Sequence, residues 1–216
     1  MHIYQLPLSL YSFKLRLALR LKGLSIPLHE PPGGSYRSDA YRAINPAGTI
    51  PALIDGELML TETDSIIEYL DERGDGEPLL PQDVPLRART RMLSRWVDLR
   101  LEAGIRSLFG QVPPRSRDPL AVAAADQRIA ASLSLIGQAV DSAGPFMLGR
   151  RPGMADCGLV SCLLWLDAIG PPLALQSQAG AKLSRAMAAM AGDDRISAEI
   201  AAYRPLVAAW VGRTTA

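Results

Sequence analysis

The stretch Ala52-Leu53-Ile54-Asp55-Gly56-Glu57-Leu58-Met59-Leu60 settles how the N-terminal part of the chain is built. Two apolar runs flank Asp55-Gly56, the dipeptide favoured by a type I′ turn because both central residues need positive φ, so the spacing predicts a β-hairpin. Downstream, Thr63 to Leu70 predicts a helix with Ile66, Ile67 and Leu70 on one face. Upstream, His2 to Leu8 is a short apolar run suited to a strand. Phe13 to Lys22 carries Leu15, Ala18, Leu19 and Leu21 at helical spacing, with Ser12 placed to cap its start and Gly23 to stop it. Ser25 to Leu28 offers a second strand, and Pro31-Pro32-Gly33-Gly34 has to be loop.

The order is strand, helix, strand, loop, hairpin, helix, which is that of a thioredoxin-like domain, a layered α/β unit. Texture changes near residue 80. Gly74-Asp75-Gly76-Glu77-Pro78, followed by Pro81 and Pro85, reads as a linker. Beyond it the chain is rich in Ala, Leu and Arg. Long helices are expected over Leu86 to Leu108, with Trp96 and Leu99 on the apolar side, over Leu120 to Val140, and over Met154 to Ile169, the last ended by Gly170-Pro171-Pro172. Shorter ones are expected over Leu183 to Met190 and Ile196 to Tyr203. The Met154 helix is apolar nearly all round and belongs at the centre of a bundle. The expected fold class is α/β followed by all-α: a thioredoxin-like domain over residues 1–78 and a helical domain over 86–216.

Composition narrows the function. Of 216 residues, 48% are hydrophobic and 21% charged, and the formal net charge is +1, so bulk charge signals no nucleic-acid surface. The best apolar run, Leu159 to Leu166, stops at Asp167, far short of the roughly 20 residues a membrane span needs. Lys14, Arg16 and Arg20 follow the first apolar stretch instead of preceding it, unlike a signal peptide. A cytoplasmic protein without nucleic-acid or membrane partners is expected.

Reactive groups are few. His2 and His29 are the only histidines, which excludes a histidine-rich metal site, and no metal is expected. Cys157 and Cys162, five apart, match neither a redox CxxC nor a zinc spacing and read as small buried hydrophobes. No GxGxxG, Walker A or GxSxG motif occurs. Such a chain either binds something or borrows its reactive group from a cosubstrate.

Three places suit a borrowed group, and each also has a plain structural reading. Leu8-Ser9-Leu10-Tyr11-Ser12 sets hydroxyls at a helix N-terminus, where unpaired N–H groups and the macrodipole favour an anion such as a thiolate; alternatively Ser12 is an ordinary cap and Ser9 loop. Ile50-Pro51 precedes the hairpin: a cis bond there leaves the Ile50 backbone open to pair with an extended peptide, a trans bond makes it a strand start. Thr61-Glu62-Thr63-Asp64 opens the following helix, either as cap and dipole partners or as holders of a ligand's ammonium and carboxylate groups.

Taken together, these stretches carry a resemblance. Leu8-Ser9-Leu10-Tyr11-Ser12-Phe13-Lys14-Leu15-Arg16-Leu17-Ala18-Leu19 resembles the start of serine-type, bacterial-like cytosolic glutathione S-transferases. Asn45 to Leu53 is similar to that family's "NPxGxVPxL", and Leu60 to Leu70 to its "LxESxAIxxYL". Gly153-Met154-Ala155-Asp156 resembles its helix-capping "S/TxAD". The resemblance covers essentially the whole chain and implies the family's role for each matching position. Ser9 would hydrogen-bond the glutathione sulfur, with Ser12 the alternate. Ile50, before the cis-proline position Pro51, would pair with the cysteinyl backbone. Glu62 and Thr63 would hold the γ-glutamyl end, Thr49 would face the glycyl end, and Asp156 would cap the central helix.

Departures are visible as well. Leu10 replaces a frequent proline, Thr49 stands where relatives carry Lys or Gln, Thr63 replaces serine, and Gly153 replaces the capping Ser or Thr. The resemblance implies a glutathione transferase that activates the thiol of glutathione, its cosubstrate, for attack on a small apolar electrophile. Leu10, Tyr11, Arg91, Arg95 and Trp96 are the candidates for the electrophile pocket. It also implies a homodimer, which the uneven charge fits: 7 basic and 11 acidic residues in 1–80 against 16 and 11 in 81–216. Two rivals stay open: a non-catalytic interaction protein on the same fold, and a glutathione-dependent disulfide reductase or isomerase.

Overall fold

A computed structural model of the chain describes residues 1–215, which form two compact units, residues 1–80 and 81–215. In the first unit, β1 (His2–Tyr4) and β2 (Leu28–His29) run parallel and are joined by α1 (Leu10–Lys22). A parallel pair needs a crossover of about this length, usually helical. After the short α2 (Asp39–Arg42), β3 (Ala52–Asp55) adds antiparallel to β1 and β4 (Leu58–Leu60) antiparallel to β3, giving the sheet order β2-β1-β3-β4. α3 (Thr63–Glu72) completes the unit and packs on α1. Ile3 and Leu53, paired across β1 and β3, are fully buried, as are Phe13 and Leu17 of α1 and Ile66, Ile67 and Leu70 of α3.

Several boundaries differ from those expected. β1 ends at Tyr4, because Leu6-Pro7-Leu8-Ser9 forms a turn closed by the Ser9 N–H on the Leu6 carbonyl at 3.1 Å. α1 starts at Leu10, three residues before the expected Phe13, since Ser9 and not Ser12 is its cap. It does end at Gly23, which takes φ 70° and closes a Schellman motif through the Gly23 and Leu24 N–H groups. The hairpin forms, but Asp55 pairs with Leu58, so its two-residue turn is Gly56-Glu57 and not Asp55-Gly56. Gly56 takes φ 61° and Glu57 does not follow it into positive φ, which suits a glycine-first turn and not type I′. As a strand residue, Asp55 accepts hydrogen bonds from Tyr69 (2.8 Å) and Arg73 (2.7 Å), which anchors the hairpin to α3.

The stretch read as a linker is fastened down through Leu80. Lys22 and Asp71 form a buried ion pair, and the Asp71 carboxylate also accepts the N–H groups of Leu79 (2.9 Å) and Leu80 (2.7 Å). Gly76 sits over the Lys22 carbonyl with φ 68°, where a Cβ would lie 2.1 Å from that oxygen.

The second unit is all-helical. α4 (Val84–Trp96) is capped by Asp83 and runs into a π-helical turn (Val97–Glu102) and then α5 (Ala103–Ser107). Leu93, Val97, Leu101 and Ile105 are fully buried at steps of four, a spacing the wide turn maintains. Leu99 therefore falls on the outside, 67% exposed, and not on the apolar side as expected. α6 (Pro119–Ala139) is capped by Asp118, and α7 (Met154–Leu173) is buried without a break from Met154 to Leu166, as its apolar sequence requires.

Gly170-Pro171-Pro172 does not end α7. The helix continues to Leu173 and stops at Ala174, whose φ of 53° lets the Ala174 and Leu175 N–H groups close on Pro171 and Gly170. Prolines in a last turn give up N–H groups yet leave their carbonyls to be capped. α8 (Ala181–Ala191) and α9 (Ser197–Thr215) follow, the latter far longer than the expected Ile196 to Tyr203 and continuing through Pro205. At these full lengths α6 and α7 are long and apolar enough to cross a membrane, which the shorter apolar run had argued against; 78% of the α7 window is buried inside the protein, the mark of a core helix.

Candidate functional site

The N-terminus of α1 is the first component. Ser9 has extended backbone angles (φ −62°, ψ 126°), its carbonyl accepts from the Phe13 N–H (2.8 Å), and its Oγ accepts from the Ser12 N–H (3.2 Å). That leaves the hydroxyl proton of Ser9, which is half-buried, available for donation at the helix start. Ser12 is turned inward: it is 1% exposed, and its Oγ accepts from the Leu6 N–H at 3.4 Å. The expected cap role of Ser12 is thus held by Ser9, because only the residue just outside the first turn can reach an N–H three positions on. Arg16 donates to the Pro7 carbonyl at 3.0 Å and to Gln5 at 2.8 Å, steadying the turn that carries Ser9. Leu10 is buried at 3% exposure, and Tyr11 is half-buried.

The second component is the loop before β3. The Ile50–Pro51 bond is cis. Outside helices and strands, the backbone hydrogen bonds of the described residues do not involve Ile50. The preceding carbonyl, that of Thr49, is held from below by two side chains, the Tyr41 hydroxyl and the Asn45 amide, each at 2.8 Å. Both of those residues are fully buried, and burial raises the Tyr41 pKa above its ordinary value. Asn45 also accepts from the Ala47 N–H at 3.1 Å, and Gly48 takes φ 58°, so the loop from Asn45 to Pro51 is fixed by its own first residue. Thr49 itself is exposed.

The third component is the start of α3. Glu62 occupies the cap position with φ 64° and ψ 115°, a conformation that costs a non-glycine residue about 1–3 kcal/mol and tends to mark functional sites. Its side chain makes no cap hydrogen bond and is exposed. Thr63 is therefore the first helical residue and not the cap. It is 5% exposed, and its hydroxyl donates to the Tyr11 carbonyl at 3.4 Å, tying the start of α3 to the start of α1. Two helix N-termini thus meet within one unit, one carrying Ser9 and the other Glu62 and Thr63. Each supplies positive potential suited to an anionic group.

The remaining candidates lie in the second unit. On α4, Arg91 and Trp96 are half-buried and Arg95 is exposed. Two cavities of about 640 and 810 Å³ open among α6, α7, α8 and the Ala174–Gly180 loop, and neither is bordered by Arg91, Arg95 or Trp96. Asp156 does cap α7: its carboxylate accepts from the Gly153 and Met147 N–H groups, both at 2.9 Å, the reach-back half of a capping box. Complete burial raises its pKa to about 6. Cys157 and Cys162 are fully buried, as expected. Among the described residues no cluster of three or more His, Cys, Asp or Glu side chains is placed to hold a metal.

What sequence reasoning missed is the support beneath these components. The sequence motif assigns Asn45 no role, and no motif marks Tyr41. The Asn45-Pro-Ala-Gly run was the only available signal, since the burial of both polar groups appears only once the chain is folded.

Comparisons with known proteins bear on the family. The family description "Glutathione S-transferase, N-terminal domain" matches residues 3–78, and "Glutathione S-transferase, C-terminal domain" matches residues 119–213. "Glutathione S-transferase Z1" of Arabidopsis thaliana is 43% identical over 91 residues, 38% of this chain and 41% of that protein. The chain thus spans about two fifths of the length of several such curated relatives. "Maleylacetoacetate isomerase" of Pseudomonas aeruginosa is 33% identical over 185 residues, 80% of this chain and 84% of that one. Among solved structures, maleylacetoacetate isomerase from Anaeromyxobacter dehalogenans, with dicarboxyethyl glutathione and citrate in its active site, is similar with a TM-score of 0.72 and 27% identity, over 94% of this chain and 92% of that one. With both halves matched and the likeness to one relative running through most of either chain, this protein belongs to the glutathione S-transferase family.

Proposed function

We propose that the first unit binds glutathione and that the protein uses the bound thiolate as a catalyst for cis–trans isomerisation of a maleyl-type, carboxylate-bearing alkene. The observation that carries the reading is the Ser9 hydroxyl, oriented by the Ser12 N–H at 3.2 Å, at a helix start tied to the second helix start that bears Glu62 and Thr63. In this assignment Ser9 donates to the sulfur, the Ile50 backbone pairs with the cysteinyl residue beside Pro51, Glu62 meets the γ-glutamyl ammonium, the Thr63 backbone N–H meets its carboxylate, and Thr49 faces the glycyl end. A hydroxyl and a helix N-terminus stabilise the thiolate in preference to the thiol, and holding sulfur and alkene together supplies proximity.

The chemistry balances without an added oxidant or reductant. The thiolate sulfur forms a bond to one alkene carbon and the π pair moves onto the adjacent carbonyl as an enolate. Rotation follows about what is now a single bond. The enolate then re-forms the double bond and expels the thiolate. Relatives' names support this substrate class: one is an isomerase of maleylacetoacetate, and another holds a dicarboxyethyl adduct of glutathione. An apolar electrophile, expected from the sequence, has no comparable support. Arg91 and Arg95, already candidates for the electrophile side, suit carboxylates better than apolar groups. A homodimer with each domain acting as assigned, 1–78 for glutathione and 86–216 for the electrophile, belongs to the same proposal.

The test mixes the protein with glutathione and maleylacetoacetate and follows products by NMR. Formation of the trans isomer with glutathione conserved supports the reading. Consumption of glutathione only with an apolar aryl halide returns the function to conjugation. No reaction and no glutathione uptake leaves an interaction protein.

A further inference from the structure

Between the two helix starts lies an ion pair that the proposed chemistry does not use. Lys14, in the second turn of α1, is fully buried, and its Nζ lies 2.6 Å from Oδ1 of Asp64, whose side chain is 14% exposed. Asp64 is the second residue of α3, directly after Thr63. Alongside it, Thr63 donates to the Tyr11 carbonyl at 3.4 Å, so two polar ties join the same two helix starts. Nothing about the hydrophobic core asks for charge here: Lys14 is flanked by the fully buried Phe13 and nearly buried Leu15, and an apolar side chain of its size would avoid the desolvation of an ammonium. A buried ion pair contributes little net stability, while removing one partner of it is strongly destabilising.

We propose that Lys14 and Asp64 are a positioning pair that sets the start of α3 against the start of α1, and with it the span from Ser9 to Glu62 and Thr63. The inference rests on the reading of this site as the glutathione site. One flexible tripeptide bridges both helix starts, its sulfur at one and its γ-glutamyl end at the other, so an error in their spacing removes one contact or the other. Neither Lys14 nor Asp64 touches the ligand in this arrangement. They act through Ser9 and Thr63. Lys14 is set back five residues from Ser9 within the core, and Asp64 is committed to it.

The test uses the full-length protein and four variants: Lys14→Met, Asp64→Asn, the double change Lys14→Met with Asp64→Leu, and the conservative Lys14→Arg. Each single change removes one charge of the pair and is expected to lower stability. The double change removes both charges and is expected to keep wild-type or greater stability in urea. Glutathione affinity is read by calorimetry, and the ionisation midpoint of the bound thiol by thiolate absorbance. The double variant is expected to bind glutathione about ten- to a hundredfold more weakly, with the midpoint moved upward, despite its intact fold. Lys14→Arg is expected to recover most of the affinity. A stable double variant that binds glutathione within twofold of wild type at an unchanged midpoint overturns the pair's role. Absence of glutathione binding in the wild type overturns the site's reading itself, a result separate from that one.

Discussion

Ser9 caps α1 in the structure and is proposed to hold the glutathione sulfur, and two substitutions separate the two roles. As a cap, its Oγ accepts the Ser12 N–H at 3.2 Å; as a sulfur ligand, its O–H donates to the thiolate. Replacing a capping serine by alanine costs about 1 kcal/mol of stability, while glycine in its place costs only a few tenths. Both remove the hydroxyl. A hydrogen bond to a charged group contributes about 1.5–3 kcal/mol, which corresponds to roughly one to two units in the pKa of a thiol that ionises near 8.5 in water. The helix terminus adds about 0.3–1 kcal/mol that neither variant removes. Ser9→Gly should therefore fold almost as stably as wild type yet carry a bound thiol whose midpoint is about one to two units higher. At a pH below both midpoints the turnover should drop about ten- to a hundredfold, and the deficit should shrink as the pH rises past the variant's midpoint. The assay is a pH–rate profile for each variant beside urea unfolding. Activity in Ser9→Gly equal to wild type at all pH values, or a loss in Ser9→Ala no larger than its loss of folded protein, refutes the reasoning.

Ser12→Ala removes a long, inward hydrogen bond at 3.4 Å and should leave the thiol midpoint in place; inactivation by that change instead of by Ser9→Gly would move the sulfur ligand to Ser12. Asn45→Ala releases one of the two donors on the Thr49 carbonyl, so the apparent KM for glutathione should rise several-fold with kcat little changed, and an unchanged KM shows that Tyr41 alone suffices. Asp156→Ala leaves the Met147 and Gly153 N–H groups without their acceptor and should cost about 2–5 kcal/mol in urea unfolding. Since burial raises the Asp156 carboxyl to about 6, the folded protein retains a proton that the unfolded chain loses near pH 4. This residue's contribution is therefore full below about pH 4 and falls as pH rises to about 6, a slope of about 3 kcal/mol in total that Asp156→Asn should flatten.

Local patterns were legible wherever a single element dictated them. The apolar spacing of Ile66, Ile67 and Leu70 gave α3, and the uniformly apolar Met154 to Leu166 stretch gave a buried central helix. The errors came where tertiary contacts choose among local options. Asp55-Gly56 and Gly56-Glu57 are both acceptable turns, and the choice fell to the register in which Asp55 reaches Tyr69 and Arg73. Leu99 faces outward against the helical pattern because a π turn cannot be read from a period of 3.6. The prolines at 171 and 172 suggested a stop, but a last turn tolerates missing N–H groups when Ala174 can take a left-handed conformation. At the candidate site, the motif residues were readable one at a time. The meeting of the two helix starts was not, because the tie from Thr63 to Tyr11 spans 52 residues, and the bond from Asn45 to Thr49 braces a loop through a buried amide that no periodicity marks.

The most direct measurement is the ultraviolet absorbance of the glutathione thiolate, titrated across pH in the presence of excess protein. With the sulfur held at the start of α1, the ionisation midpoint should fall to about 7 or lower, against about 8.5 for an unassisted thiol. A midpoint that stays at the solution value with the protein in excess contradicts thiolate stabilisation at Ser9.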